Sequence, residues 1–145
     1  MNNPEQLIEI STDRKRLDFN IIHDFLKNHS YWANTRPPEK IRESIENSLC
    51  FGVYLKESPE AQIGFARVIT DFVSFYILAD VFIVPEYQNR GLGGILMQHI
   101  IDYMNSRHTR CGLLTTQTAH EFYSRLGFTR DHPLIKDRMM VYIKK

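Results

Sequence analysis

Residues 81–101, VFIVPEYQNRGLGGILMQHII, limit this chain more than any other stretch. Four apolar residues, Val81, Phe82, Ile83 and Val84, read as a buried strand. The polar turn Gln88-Asn89-Arg90-Gly91-Leu92-Gly93 then opens an amphipathic helix, whose apolar stripe runs through Leu92, Ile95, Leu96, His99 and Ile100. A strand that feeds a glycine turn at a helix start makes an anion cradle. The first-turn N–H groups have no intrahelical acceptor, and the helix dipole favours negative charge there. Gly91 and Gly93 carry no Cβ to hold a bulky phosphate away. The competing reading is a tight turn whose glycines serve packing alone.

Strand and helix signals fill the rest of the chain. Residues 7–10 read as a first strand, and 18–29 as a helix with Asp18 as N-cap and Ile21, Ile22, Phe25 and Leu26 on one face. Pro37-Pro38 starts a second helix, with Ile41, Ile45 and Leu49 at helical spacing. Strands are expected at 50–56 and 61–70 around a turn at 57–60, then at 73–84 as one long strand or two pieces. A strand at 111–115, a helix at 118–126 closed by Gly127, and a last strand at 139–143 complete the order. Periodicity alone supports a mixed α/β or α+β domain, and 145 residues suit a single domain, 1–145.

Composition excludes several classes of function. With 18 basic and 17 acidic side chains there is no global reason to expect nucleic acid or an anionic membrane as partner, so any attraction for a polyanion has to be local. No apolar run approaches the roughly 20 residues that span a bilayer. The N-terminal MNNPEQLIEI shows neither the basic nor the apolar region of a secretory signal, and a cytoplasmic protein is the simplest reading. Cys50 and Cys111 are too few for a disulfide framework and are expected to be reduced, buried small hydrophobes. The histidines show no metal-ligand spacing, so no metal is expected, and His99 on the apolar stripe reads as a core histidine.

Gln88-x-x-Gly91-x-Gly93 resembles the pyrophosphate-binding motif, Gln/Arg-x-x-Gly-x-Gly/Ala, of the GCN5-related N-acetyltransferases (GNAT), which move acetyl groups from acetyl-CoA to amines. Downstream, Ala119-His120-Glu121-Phe122-Tyr123-Ser124-Arg125-Leu126-Gly127-Phe128 is similar to the family's Ala-x-x-Phe-Tyr-x-x-x-Gly-Phe element. The two motifs stand in the family's order at a family-like distance, and the resemblance is strongest over residues 61–130. It implies the GNAT acyl-CoA N-acyltransferase fold, an α/β (α+β mixed sheet) domain of order β-α-α-β-β-β-α-β-α-β, in which central strands splay to admit the cofactor.

The resemblance also implies a site. Backbone N–H groups of Asn89, Arg90, Gly91, Leu92 and Gly93 would wrap the pyrophosphate, with Gln88 opening the loop. The Arg90 side chain would add charge there or remain a solvated loop cation. The main chain at Val81 and Ile83 would pair with the pantetheine, one N–H polarising the thioester carbonyl. Thr116 stands where many relatives have an asparagine that contacts the pantetheine. Tyr123 would be the general acid toward the leaving thiolate, against a reading as a core tyrosine with a wet tip. Asp80 is a general base or a salt-bridged carboxylate, and Asp71 lines the acceptor site or is ordinary turn chemistry. Tyr31 and Trp32 wall the acceptor or cover the core, and Arg36 holds an acidic group of the acceptor or sits in an ion pair. The expected activity is direct transfer in a ternary complex from acetyl-CoA as co-substrate to a primary amine on a small molecule. A protein lysine or N-terminal amine, or a CoA-binding sensor without catalysis, are the alternatives. Sequence leaves monomer and homodimer equally open.

Overall fold

In the computed structural model, residues 3–145 are described; the first two residues of the N-terminal stretch weighed above lie outside them. Helix α1 (Phe19–His29) begins where Asp18 accepts hydrogen bonds from the N–H groups of Asn20 and Ile21, the N-cap expected from sequence. Helix α2 (Pro38–Glu46) has a proline at its first position, where a missing N–H costs nothing. Both turn their apolar rows inward: Ile22, Phe25, Leu26, Ile41 and Ile45 are buried. Leu49, expected to extend the second row, instead starts a strand, because Asn47 ends the helix.

The strands β1 (Ile8–Ser11), β2 (Leu49–Leu55), β3 (Gln62–Thr70), β4 (Tyr76–Ile83) and β5 (Gly112–Leu113) form one sheet in that order. Its first three pairings are antiparallel, and β4 with β5 is parallel. Helix α3 (Leu92–Ser106) links the parallel pair and buries Leu92, Leu96, Met97, Ile100 and Met104. His99 is exposed, its ring set T-shaped to that of Phe51 at 6.0 Å, correcting its reading as a core histidine: it lies at the flank of the buried row. Cys50 is buried as expected, whereas Cys111 is partly exposed. On the α1–α2 side, Phe25 stacks on Phe82 at 4.0 Å, and Phe65 tilts against the same ring at 5.9 Å.

Two irregularities shape β4. Phe82 pairs with Phe65 and Ala79 with Arg67, so Asp80 and Val81 together oppose Ala66. This is a β-bulge, and Asp80 occupies it with φ +52°. The second irregularity is at the other edge. Pairing with β5 stops after Tyr76↔Gly112 and Ile77↔Leu113, while β4 runs on to Ile83. The sheet is therefore split beyond Ile77, and the expected strand at 111–115 shortens to two residues for lack of a partner.

The chain divides into two compact units, one ending at Thr115 and the other Thr116–Lys145. In the second, α4 (His120–Arg125) ends at Gly127, which takes φ +98°; the N–H of Gly127 bonds to Ser124 O at 3.0 Å and that of Phe128 to Tyr123 O at 3.1 Å. The last strand expected at 139–143 is not formed. Met139, Met140, Val141, Tyr142 and Ile143 are all exposed, and the segment enters no ladder. Apolar and β-branched residues favour an extended chain, but a strand exists only once its N–H and C=O groups find a partner. Among the described residues, no helix is long and apolar enough to cross a membrane.

Candidate active site

The loop after β4 is built around backbone donors. Asn89 and Gly91 adopt left-handed φ values of +61° and +81°, and Gly91 caps α3 without any side-chain hydrogen bond. The first helical bond runs from Ile95 N to Gly91 O at 3.3 Å, so the N–H groups of residues 89–94 meet no acceptor among the described residues. Gln88 ties the loop to the strand end, its Nε2 donating to Ile83 O at 2.8 Å. The Arg90 guanidinium bends back to Glu86 O at 3.1 Å and lies 5.1 Å over the Tyr87 ring. A Cβ built on Gly91 meets nothing within 4 Å, so space for a ligand is open beside the amides. Gly91→Ala should accordingly destabilise the protein by about 1–2 kcal/mol through the left-handed conformation alone, with no clash added. A urea melt reads this, and an unchanged midpoint would refute the strain.

Val81 and Ile83 lie on the part of β4 that β5 leaves unpaired. The open edge and the open loop are consecutive in the chain. A linear ligand with amide groups and a diphosphate end matches them in kind: strand-like partners first, helix-start donors second.

Asp80 is surrounded by donors. Oδ2 accepts from Arg36 Nη1 at 2.8 Å and Arg67 Nε at 2.9 Å, and Oδ1 from Trp32 Nε1 at 2.9 Å. The Asp80 side chain is 2% exposed, Arg67 10% and Arg36 27%. Burial pushes the Asp80 carboxyl up, but the Arg36 hydrogen bond and the charge and hydrogen bond of Arg67 outweigh it and hold the group below the ordinary aspartate range. A carboxylate so stabilised has little appetite for a proton from an amine. The geometry corresponds to the salt-bridge reading of Asp80 and of Arg36.

Arg67 was missed from sequence. An arginine between Ala66 and Val68 in a buried strand needs a counter-charge, and Asp80 in the next strand needs one too. Pairing those two demands would have found it. Arg67 Nη1 also donates to Ser48 Oγ at 3.1 Å, and Arg14 Nη2 to Ser48 O at 3.1 Å. Beside this cluster, Trp32 and Tyr31 pack edge to face at 5.2 Å and stay 41% and 44% exposed. Asp71 is turn chemistry: it accepts from Val73 N, Ser74 N and Ser74 Oγ, which hold its carboxyl down at about 2.

In the second unit, Thr116 Oγ1 accepts from Ala119 N at 3.1 Å just before α4. Tyr123 is partly buried, with Phe122 and Phe128 meeting its ring edge-on at 5.0 and 5.8 Å. Among the described residues no group of His, Cys, Asp and Glu side chains is arranged to hold a metal.

The acetyltransferase (GNAT) domain family matches residues 46–130. A protein of Gibberella zeae named as an acetyltransferase is 32% identical over 136 residues, covering 81% of this chain and 77% of its own length. An N-acetyltransferase named ycf52 in Gracilaria tenuistipitata var. liui is 32% identical over 70% of this chain, which spans only 57% of that relative. A crystal structure of a GNAT-family protein of Xanthomonas campestris pv. campestris superposes with a TM-score of 0.82 at 34% identity, covering 94% of this chain and 93% of that one. A Mycobacterium tuberculosis structure in complex with CoA shares the fold at TM-score 0.68 and 12% identity, over 86% of this chain and 73% of that one. The chain belongs to the GCN5-related N-acetyltransferase family and is an N-acetyltransferase.

Proposed function

We propose that this enzyme transfers an acetyl group directly from acetyl-CoA to a primary amine of a small molecule, with both substrates bound together. The observation that carries the reading is the continuity of the open β4 edge with the uncovered amides of residues 89–94. The cofactor supplies an activated acyl group as a thioester. The chain supplies position and charge. The amides of Asn89, Arg90, Gly91, Leu92 and Gly93 hold the pyrophosphate, and Gln88, fixed to Ile83 O, keeps the loop in register. Main-chain groups of Val81 and Ile83 bind the pantetheine as an added strand, and one N–H there polarises the acyl carbonyl. Thr116 is assigned a supporting pantetheine contact, on its position in the motif.

Tyr123 is assigned as the proton donor to the departing sulfur, on the match of residues 119–128 to the family element. Asp80 is assigned a positioning role in place of the base. It fixes Arg36, Arg67 and Trp32, and two arginines against one carboxylate disfavour an ammonium nearby, so the acceptor reacts as the neutral amine. Titration calorimetry with acetyl-CoA tests the core of this reading. A single-site isotherm saturating below about 1 mM is expected, and folded protein that gives no saturation would overturn it.

A further inference from the structure

We infer that the acceptor amine carries a carboxylate, held by the free edges of Arg36 and Arg67 in front of the Tyr31–Trp32 wall. The inference rests on the reading above that acetyl transfer takes place along the free edge of β4. Two guanidiniums converge on the single Asp80 Oδ2, which leaves one positive charge uncompensated in a largely buried cluster. A guanidinium presents five N–H donors. Arg36 uses one nitrogen, Nη1, on Asp80; Arg67 uses Nε on Asp80 and Nη1 on Ser48, and among the described residues its Nη2 has no hydrogen-bond acceptor. Arg14, with no acidic partner among the described residues, donates its Nη2 to the carbonyl of the same Ser48 and raises the local positive field further.

Asp80 thus locks the arginines in place while leaving donors to spare. An anchored planar fork with unused donors is the arrangement that recognises a carboxylate, because two parallel N–H groups match two oxygens without reordering a flexible side chain. An incoming carboxylate would leave the two arginines and Asp80 neutral as a set. A bare ammonium would add a second uncompensated charge instead. The aromatic wall supplies the other half of the match. The Trp32 indole is pinned by its N–H to Asp80 Oδ1, yet its ring stays open to solvent, as does that of Tyr31. A rigid, half-exposed apolar face beside a surplus of positive charge suits the carbon skeleton of an amino acid or a related amino carboxylic acid.

The test is an acetylation assay on matched amines with the carboxylate present or converted to its amide, followed by release of free CoA. The wild-type enzyme should favour the carboxylate form by about 10–100-fold in kcat/KM, the range of one or two charge-assisted hydrogen bonds. Arg36→Gln should remove that preference, raising KM for the carboxylate series at least about tenfold more than for the amide series, with acetyl-CoA binding by calorimetry unchanged. Arg36→Lys, which keeps the charge but not the fork, should fall between, and it decides the matter if Arg36→Gln melts early. Equal or faster turnover of the amides by the wild type would overturn the inference, as would Arg36→Gln slowing both series alike. So would bound acetyl-CoA with no carboxylate-bearing amine acetylated. Absence of acetyl-CoA binding itself would point instead to failure of the underlying cofactor reading.

Discussion

A Tyr123→Phe variant should lose at least about 10²-fold in acetyl-transfer turnover while binding acetyl-CoA as tightly as the wild type. The substitution is conservative in every respect but one. Phenylalanine keeps the ring that Phe122 and Phe128 contact edge-on, and it keeps the backbone carbonyl to which Phe128 N closes α4. Only the hydroxyl is removed. A packing tyrosine would therefore show near-normal turnover in this variant, whereas a proton donor would show a slow chemical step at unchanged cofactor affinity. Steady-state rates and calorimetry on the same preparation separate the two outcomes. Normal turnover would remove Tyr123 from the mechanism. An equal fall in acetyl-CoA affinity would make it a binding residue.

Replacing Asp80 should produce the largest loss of stability. Asp80→Asn preserves shape, tolerance of the left-handed backbone and an acceptor for Trp32, but leaves the two arginines without a counter-charge. Removing one partner of a buried ion pair costs about 3–5 kcal/mol. The lower end is expected here, since Arg36 is partly solvated. Asp80→Ala adds the strain of a φ of +52° and should lie at the upper end. Chemical denaturation measures both, and a loss below about 1 kcal/mol for the two variants would mean that water already screens the cluster. The pH dependence has a definite sign. Asp80 is held below its unfolded value of about 3.9, so its contribution is complete above that pH and is lost as pH falls through the lower folded value. The gap between wild type and Asp80→Asn should stay constant at neutral pH and close only in strong acid.

What the sequence makes legible follows the range of the interactions. The loop at residues 88–93 is local, and left-handed Gly91 before a helix leaves a plain mark in the chain. The Asp18 cap and the Gly127 stop are legible for the same reason. The partners of Asp80 lie 13, 44 and 48 residues away, so no spacing rule reaches them. Sequence shows that Asp80 is misplaced in an apolar strand and that Arg67 shares its need for a counter-charge; only the fold brings Arg36 and Trp32 to the same carboxylate. Residues 139–143 show the opposite failure. Their β-forming character is legible, but the availability of a neighbouring strand is a property of the whole chain.

The extra residue at Asp80 also acts as a phase shift. Tyr76 and Leu78 keep step with Thr70 and Val68, whereas Phe82, an even number of residues onward, faces the other side of the sheet with Phe65. One strand thereby sends even-numbered side chains to both of its sides. Excising Asp80 would not merely delete a charge. It would restore strict alternation, swing Phe82 off the Phe25 ring and rotate everything that follows, the helix-start amides included. At this position a one-residue deletion should be far more damaging than any substitution.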